Sequence, residues 1–143
     1  MSPPWSELTE PALRAAGEAL GQSLAPGAVV WLQGPLGAGK TTMAQAIARA
    51  LGATARVTSP TYSLVHRYEG GRGPVFHVDC FRLRSPEEAA DLDWEGLAAG
   101  DALLIEWPER AGPWAPPPDH RIRLDHLEAG PDLRRVDIDG RDG

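Results

Sequence analysis

Apolar positions along this chain fall into alternating helix-like and strand-like blocks. Leu13, Ala16, Leu20 and Leu24 recur at helical spacing. They follow Thr9-Glu10-Pro11, which combines an N-cap, an acid in the first turn and an early proline. This predicts a helix ending near Pro26-Gly27. Ala28 to Gln33 (AVVWLQ) is a short apolar run bounded by glycines, the pattern of a buried strand. Gly34 to Gly39 reads as a loop, and Lys40 to Leu51 as an Ala-rich helix stopped by Gly52. Val75 to Asp79 and Ala102 to Glu106 predict further buried strands, and Leu64 to Tyr68 another, with a turn over 69–73. Ser85-Pro86-Glu87-Glu88 predicts a capping box that opens a short helix. Trp114 to Pro118 is an irregular loop. Arg121 to His126 and Leu133 to Asp139 alternate polar and apolar residues around 128–132. They predict an antiparallel hairpin near the sheet edge, its charges turned outward.

Strands alternating with helices predict an α/β fold of three layers, with a mostly parallel central sheet and the C-terminal hairpin added antiparallel. With 143 residues, no internal repeat and no composition break, residues 1–143 are expected to form one domain.

The strand–loop–helix unit carries the most specific chemistry. Gly34-Pro-Leu-Gly-Ala-Gly39-Lys40-Thr41 matches G-x-x-x-x-G-K-[ST] at every required position. At this composition such a match arises by chance about once in a thousand sequences of this length, before any structural context is required. The glycines let the backbone turn tightly, so that the N–H groups of Gly37, Ala38, Gly39, Lys40, Thr41 and Thr42 can approach an anion. Lys40 would reach the terminal phosphates of a nucleotide and the Thr41 hydroxyl a magnesium ion, with the positive end of the following helix aimed at the same place. The expected cofactors are ATP and Mg2+, in a phosphate-loop NTPase-like fold. In such folds acids at the carboxyl ends of neighbouring strands manage the metal and the attacking water. Asp79 and Glu106 both satisfy that placement, and pattern alone leaves open which ligates the metal. Ser59-Pro60-Thr61 offers hydroxyls where a switch loop reaches a γ-phosphate, although on spacing alone an ordinary Ser/Thr turn with a proline is the better fit. His77, between Phe76 and Val78, reads as a packed or hydrogen-bonded histidine. Cys80 reads as a small buried hydrophobe, and Trp107 as either core or a cover for the nucleotide.

Composition sharpens this picture in three places. Of 14 basic residues only Lys40 is lysine, so the one compact ammonium of the chain sits at the phosphate position. The formal charge of −6 argues against avid nucleic-acid binding, which depends on neutralising phosphates with Lys and Arg. One cysteine, no basic-then-apolar leader and no long apolar run give a cytoplasmic expectation with no membrane contact.

Four segments occur in order: Gly34-Pro-Leu-Gly-Ala-Gly-Lys-Thr-Thr42, Thr58-Ser-Pro-Thr-Tyr-Ser-Leu-Val65, His77-Val-Asp-Cys-Phe-Arg-Leu83 and Leu104-Ile-Glu-Trp-Pro-Glu-Arg110. Together they resemble the TsaE (YjeE) family of bacterial ATPases. The resemblance implies a protein that serves threonylcarbamoyladenosine formation in tRNA. It would act with TsaB and TsaD, meeting tRNA only indirectly through that complex and hydrolysing ATP to reset or regulate it. It implies Lys40 on the phosphates, Thr41 and Glu106 on magnesium, Asp79 near the metal water and Thr61 as a γ-phosphate sensor. It also implies Thr9 and Arg134 beside the adenine. Two departures stand out: Phe81 occupies a position where the family usually has Tyr, and Pro35 replaces an acid in the loop. A small-molecule kinase, with Arg82 and Arg84 over the phosphates, is the competing class. A binding module with incidental turnover is the third.

Overall fold

The computed structural model describes residues 6–53, 56–57, 64–127 and 132–140. Among them, eight strands form one sheet. These are β1 (Ser6–Leu8), β2 (Ala28–Gln33), β3 (Arg56–Val57), β4 (Val65–Gly70), β5 (Gly73–Asp79), β6 (Ala102–Glu106), β7 (His120–His126) and β8 (Arg134–Gly140). The order across the sheet is β1-β8-β7-β2-β6-β5-β4-β3. The central four, β7, β2, β6 and β5, pair in parallel, and antiparallel strands extend the sheet on both sides.

Helices α1 (Glu10–Ser23) and α2 (Lys40–Ala50) cover one face. There Leu13, Met43 and Ile47 pack on Val30, Leu32, Leu104 and Ile122. The short helices α3 (Pro86–Ala89) and α4 (Trp94–Ala98) and a 3-10 segment over Pro108–Trp114 lie on the other face. They bring Ala89, Leu97 and Ala111 against Val29, Val78, Leu103 and Ile105. A strand covered on both sides reads as a near-continuous apolar run, and all five residues of β6 are buried, the four before Glu106 apolar. The three-layer α/β expectation therefore holds, and a fully buried Leu or Ile here contributes about 1.5–3 kcal/mol relative to exposure.

The C-terminal hairpin lies near the sheet edge as expected, with one further strand outside it: β1 pairs antiparallel with β8, Ser6 opposite Val136. Three residues are too few to show a period, so β1 left no pattern in the sequence. Several local expectations change. The Ser85 side chain makes no capping hydrogen bond. Burial of Ala89 and its carbonyl bond from Trp94 Nε1 (2.8 Å) hold α3 instead. Helix α4 was hidden for the same reason of length, and its N-cap is Asp93, which accepts from Gly96 N–H at 3.0 Å. The turn over 69–73 narrows, since β4 runs to Gly70 and β5 starts at Gly73. The Arg72 guanidinium reaches Asp101 (3.1 Å) and the Leu24 carbonyl (3.1 Å), drawing this turn against the base of the sheet.

The two long helices approach closely because α1 presents Gly17 and Gly21 to α2. A Cβ at Gly21 would stand 2.7 Å from Ala50 Cβ and 2.8 Å from the Ile47 carbonyl oxygen, and the backbone cannot yield as a side-chain tip can. Gly21→Ala gains about 1 kcal/mol of helix propensity but overpacks this contact by about 2–3 kcal/mol. Denaturant unfolding should therefore show a net loss of roughly 1–2 kcal/mol; a stabilised variant would mean that the helices are not in this contact.

Candidate functional site

The site begins where β2 ends. Gly34 has φ +145°, and a Cβ there would land on the Leu124 carbonyl oxygen, so the chain can leave the sheet against β7 only as glycine. Gly39, the residue before α2, has φ +106°, a left-handed conformation that L side chains avoid. The first backbone hydrogen bond of α2 runs from Met43 N–H to the Gly39 carbonyl at 2.9 Å. The N–H groups of Lys40, Thr41 and Thr42 precede that bond, at the positive end of the helix. Ala38 differs from the sequence expectation: its N–H is donated to the Pro35 carbonyl at 3.2 Å, inside the loop. The loop thus offers fewer amides than the motif alone suggests.

Lys40 is buried, and its ammonium donates to the carbonyls of Gly34 (2.5 Å) and Pro35 (2.7 Å) while lying 4.5 Å from the centre of the Trp107 ring. Burial lowers its pKa from the usual ammonium range, and the carboxylates of Glu106, Asp79 and Glu109 oppose that drift. Across the cleft, β6 delivers Glu106 and β5 delivers Asp79, which are register partners on parallel strands. The Thr41 hydroxyl lies 3.1 and 3.2 Å from the two Glu106 carboxylate oxygens. His77 Nε2 lies 2.5 Å from Glu106 Oε2, so His77 is the hydrogen-bonded histidine that its strand position suggested. Burial on its own would push Glu106 up. The His77 bond and charge, the Thr41 hydroxyl and Lys40 together outweigh it and hold the carboxyl below the usual range. Asp79 Oδ1 accepts the Phe81 N–H at 3.0 Å, which fixes the plane of that carboxylate at the strand end.

Lys40, Thr41, Asp79 and Glu106 line one cleft of about 270 Å³ with Leu36, Gly37, Gly39, Thr42, Phe81 and Trp107. Trp107 is the one non-glycine residue with positive φ among those described, at +56°. Such backbone costs about 1–3 kcal/mol in a bulky residue. It is held by the Trp107 N–H bond to the Leu32 carbonyl (3.2 Å), by Phe81 with ring centres 5.2 Å apart, and by Arg110 at 5.3 Å. Both sequence readings of Trp107 hold: it lines the cleft and also packs against the core under the short helices.

A second cleft of about 370 Å³ adjoins the first, sharing Gly37, Gly39 and Thr42, and is lined by Thr9, Leu13, Asp132 and Arg134. The structure thus brings Thr9 and Arg134 to the loop; the Thr9 hydroxyl also caps α1 by accepting from Ala12 N–H at 3.4 Å. Thr61 lies outside the described residues. Arg82 and Arg84 do not line the Lys40 cleft; Arg84 opens on a separate one with Arg110. Cys80 is fully buried, and burial pushes its thiol up to about 12, as fits an inert core position. Two residues of this site were missed: Leu36, 62% exposed at the loop tip, and His126, whose Nε2 lies 2.9 Å from the Leu36 carbonyl. No local pattern marks a contact between residues 90 apart in sequence.

A hard divalent cation such as magnesium takes one or two carboxylates beside substrate oxygens and water, not a full protein cage. Among the described residues no three His, Cys, Asp or Glu side chains cluster as a metal cage, whereas a hydroxyl and a carboxylate converge at the helix start. The donor set fits such a cation held jointly with phosphates.

A strand, a glycine loop and a helix carrying Lys-Thr, faced by acids from adjacent parallel strands, define a phosphate-loop fold of the NTPase type. The family model described as "Threonylcarbamoyl adenosine biosynthesis protein TsaE" matches residues 8–136, and the chain belongs to the TsaE family. Curated relatives with the name "tRNA threonylcarbamoyladenosine biosynthesis protein TsaE" include one from Nostoc sp., 38% identical over 116 residues, covering 78% of this chain and 70% of that protein. The Bacillus subtilis relative is 35% identical over 111 residues, 78% of this chain and 68% of its own. The Synechocystis sp. relative is 39% identical over 98 residues, 66% of this chain and 62% of its own. A crystal structure of Bacillus subtilis YdiB is similar in fold, with TM-score 0.71 and 24% identity, covering 96% of this chain and 85% of that one. No helix among the described residues is long and apolar enough to cross a membrane.

A folded-state pKa held low means that Glu106 contributes its stability above the range where an unfolded-chain glutamate titrates. That contribution is lost as pH falls through the lowered folded value. In nucleotide-free protein, the difference in melting temperature between wild type and Glu106→Gln should be largest near neutral pH and shrink on acidification. A difference that grows as pH falls would contradict the ionised assignment.

Proposed function

We propose that this protein binds ATP with magnesium and hydrolyses it as the nucleotide-controlled component of tRNA threonylcarbamoyladenosine biosynthesis. It acts with TsaB and TsaD proteins and regulates or resets their complex, in the cytoplasm. Family membership supports the pathway. The observation that carries the nucleotide part is the convergence of Lys40, Thr41, Glu106 and Asp79 on one cleft at the N-terminus of α2.

In this reading the helix-start amides and the Lys40 ammonium take the phosphates, and Thr41 and Glu106 hold magnesium, which supplies charge neutralisation at the phosphate oxygens. Asp79, oriented by the Phe81 N–H, orders the attacking water at the strand end. Lys40 exchanges its two carbonyl acceptors for phosphate oxygens, so the loop that stores the ammonium also delivers it. Thr9 and Arg134 border the adjoining cleft and take the nucleoside. Thr61 remains the candidate γ-phosphate sensor. The kinase alternative is weakened, because neither Arg82 nor Arg84 lines the Lys40 cleft. The net charge of −6 suits a subunit that leaves tRNA binding to its partners.

Turnover of ATP measured alone and with TsaB, TsaD and tRNA tests the whole reading. The activity should depend on the partners and need no small-molecule acceptor. Loss of a preorganised charge contact costs about 3–4 kcal/mol in the transition state. Lys40→Ala should accordingly lower turnover by at least about a hundredfold while the melting temperature stays near that of wild type. Near-normal turnover would refute the phosphate role. The acids should separate: Glu106→Ala weakens magnesium-dependent nucleotide binding, whereas Asp79→Asn retains ATP and slows hydrolysis. A magnesium titration of each variant decides this, and a reversed pattern would exchange the two roles.

A further inference from the structure

Glu106 is a carboxylate in a place that does not suit one. It closes a strand whose five residues are all buried, and it is itself 4% exposed. A side chain so placed keeps one orientation only if its oxygens are tied down. Three groups reach it: the Thr41 hydroxyl, the nearby Lys40 charge and His77 Nε2. The first two belong to the phosphate loop and the first turn of α2. In the proposed function both are committed to the ligand, Thr41 to the cation and Lys40 to the phosphates. His77 differs in kind. It comes from β5, it is buried, and it does not line the Lys40 cleft.

The sheet explains how His77 arrives there. His77 is the register partner of Leu104, as Asp79 is of Glu106, so in this parallel pair all four side chains point to the same face. His77 therefore sits one pleat behind Glu106, on the side away from the ligand, and its ring reaches forward to Oε2. Neighbouring His66, the register partner of His77 on β4, lies with its ring centre 5.8 Å away and packs against the same ring. The Thr41 hydroxyl reaches both oxygens from the front, Oε2 at 3.1 Å and Oε1 at 3.2 Å, so Oε2 is shared with His77 and Oε1 is the oxygen that His77 leaves clear for a cation.

We propose that His77 is a positioning residue for the metal-binding acid: its Nε2–H fixes the Glu106 carboxylate from behind, so that magnesium affinity depends on β5 as well as on the phosphate loop. The assignment rests on the reading of Glu106 as a magnesium ligand. It extends that reading to a residue with no contact to the nucleotide. Hydrogen-bond partners behind metal ligands typically affect metal affinity by about 10–100-fold, which sets the scale of the effect.

Two amide variants separate reach from polarity. A Gln side chain at 77 places its N–H₂ near the position of Nε2, whereas Asn places it near Nδ1, too far from Glu106. ADP affinity is titrated calorimetrically for wild type, His77→Gln and His77→Asn, across a magnesium series and in EDTA. Melting of each ligand-free protein is recorded alongside. His77→Asn should raise the half-saturating magnesium concentration by about tenfold or more. Its ADP affinity in EDTA should stay within about twofold of wild type, and His77→Gln should recover most of the loss. Equal magnesium dependence in wild type and folded His77→Asn would overturn the positioning role alone. Magnesium-independent ADP binding by the wild type would overturn the underlying metal reading, and this assignment with it. Weakening of ADP binding by the same factor with and without magnesium would mean that His77 acts by general packing, and would also overturn it.

Discussion

The parallel register of β2, β6 and β5 is the constraint on which the site depends. Leu32 lies opposite Glu106, and Glu106 opposite Asp79, so the last residues of two strands meet the phosphate loop at the exit of the third. A slip of one residue would turn Glu106 to the opposite face of the sheet and exchange its place with an apolar neighbour. That alternative is penalised along the whole strand, because Leu104 packs under α2 while Leu103 and Ile105 pack under the short helices. The hydrophobic core thereby fixes the position of a carboxylate. Without that registry Thr41 would have no acid to face, whatever the loop sequence.

Departures from ordinary local preference gather around the same point. Lys40, His77 and Glu106 are all buried, Gly34 and Gly39 adopt conformations closed to other residues, and Trp107 is bulky at positive φ. Elsewhere the described core is apolar, with Asp101, paired to Arg72 at the base of the sheet, the one other buried charge among the described residues. Strain and buried charge concentrate where a site must be held ready, and the surrounding fold supplies the compensating packing. Trp107 illustrates the exchange. Its backbone cost is offset by a bond to Leu32 and by a ring shared among Lys40, Phe81 and Arg110.

Much of this was legible from sequence, for identifiable reasons. The loop was readable because its glycines answer a backbone requirement at fixed spacing. Helix α1 was readable because a cap, an early proline and a 3.6-residue period agree over 14 residues. Asp79 and Glu106 were readable because each ends an apolar run. Strand β1 and helix α4, with 3 and 5 residues, carry too little period to register. The Glu106–His77 bond spans 29 residues and exists only through strand pairing, so residue type could suggest a bonded histidine but not its partner. The use of the Ala38 N–H inside the loop and the backbone of Trp107 are likewise conformational facts with no compositional mark. Thr9 and Arg134 entered through family resemblance, and the fold brings them to one cleft from opposite ends of the chain.

The amides of the phosphate loop and the first turn of α2 are the groups that a bound nucleotide's phosphates must meet. Residue-resolved hydrogen exchange with and without magnesium ADP addresses them directly. Exchange at Gly39, Lys40, Thr41 and Thr42 is predicted to slow markedly on binding, with smaller effects beside Thr9 and Arg134. A contrary result would be unchanged exchange at those four amides, with protection appearing instead in the separate cleft bordered by Gln33, Arg123 and Arg135.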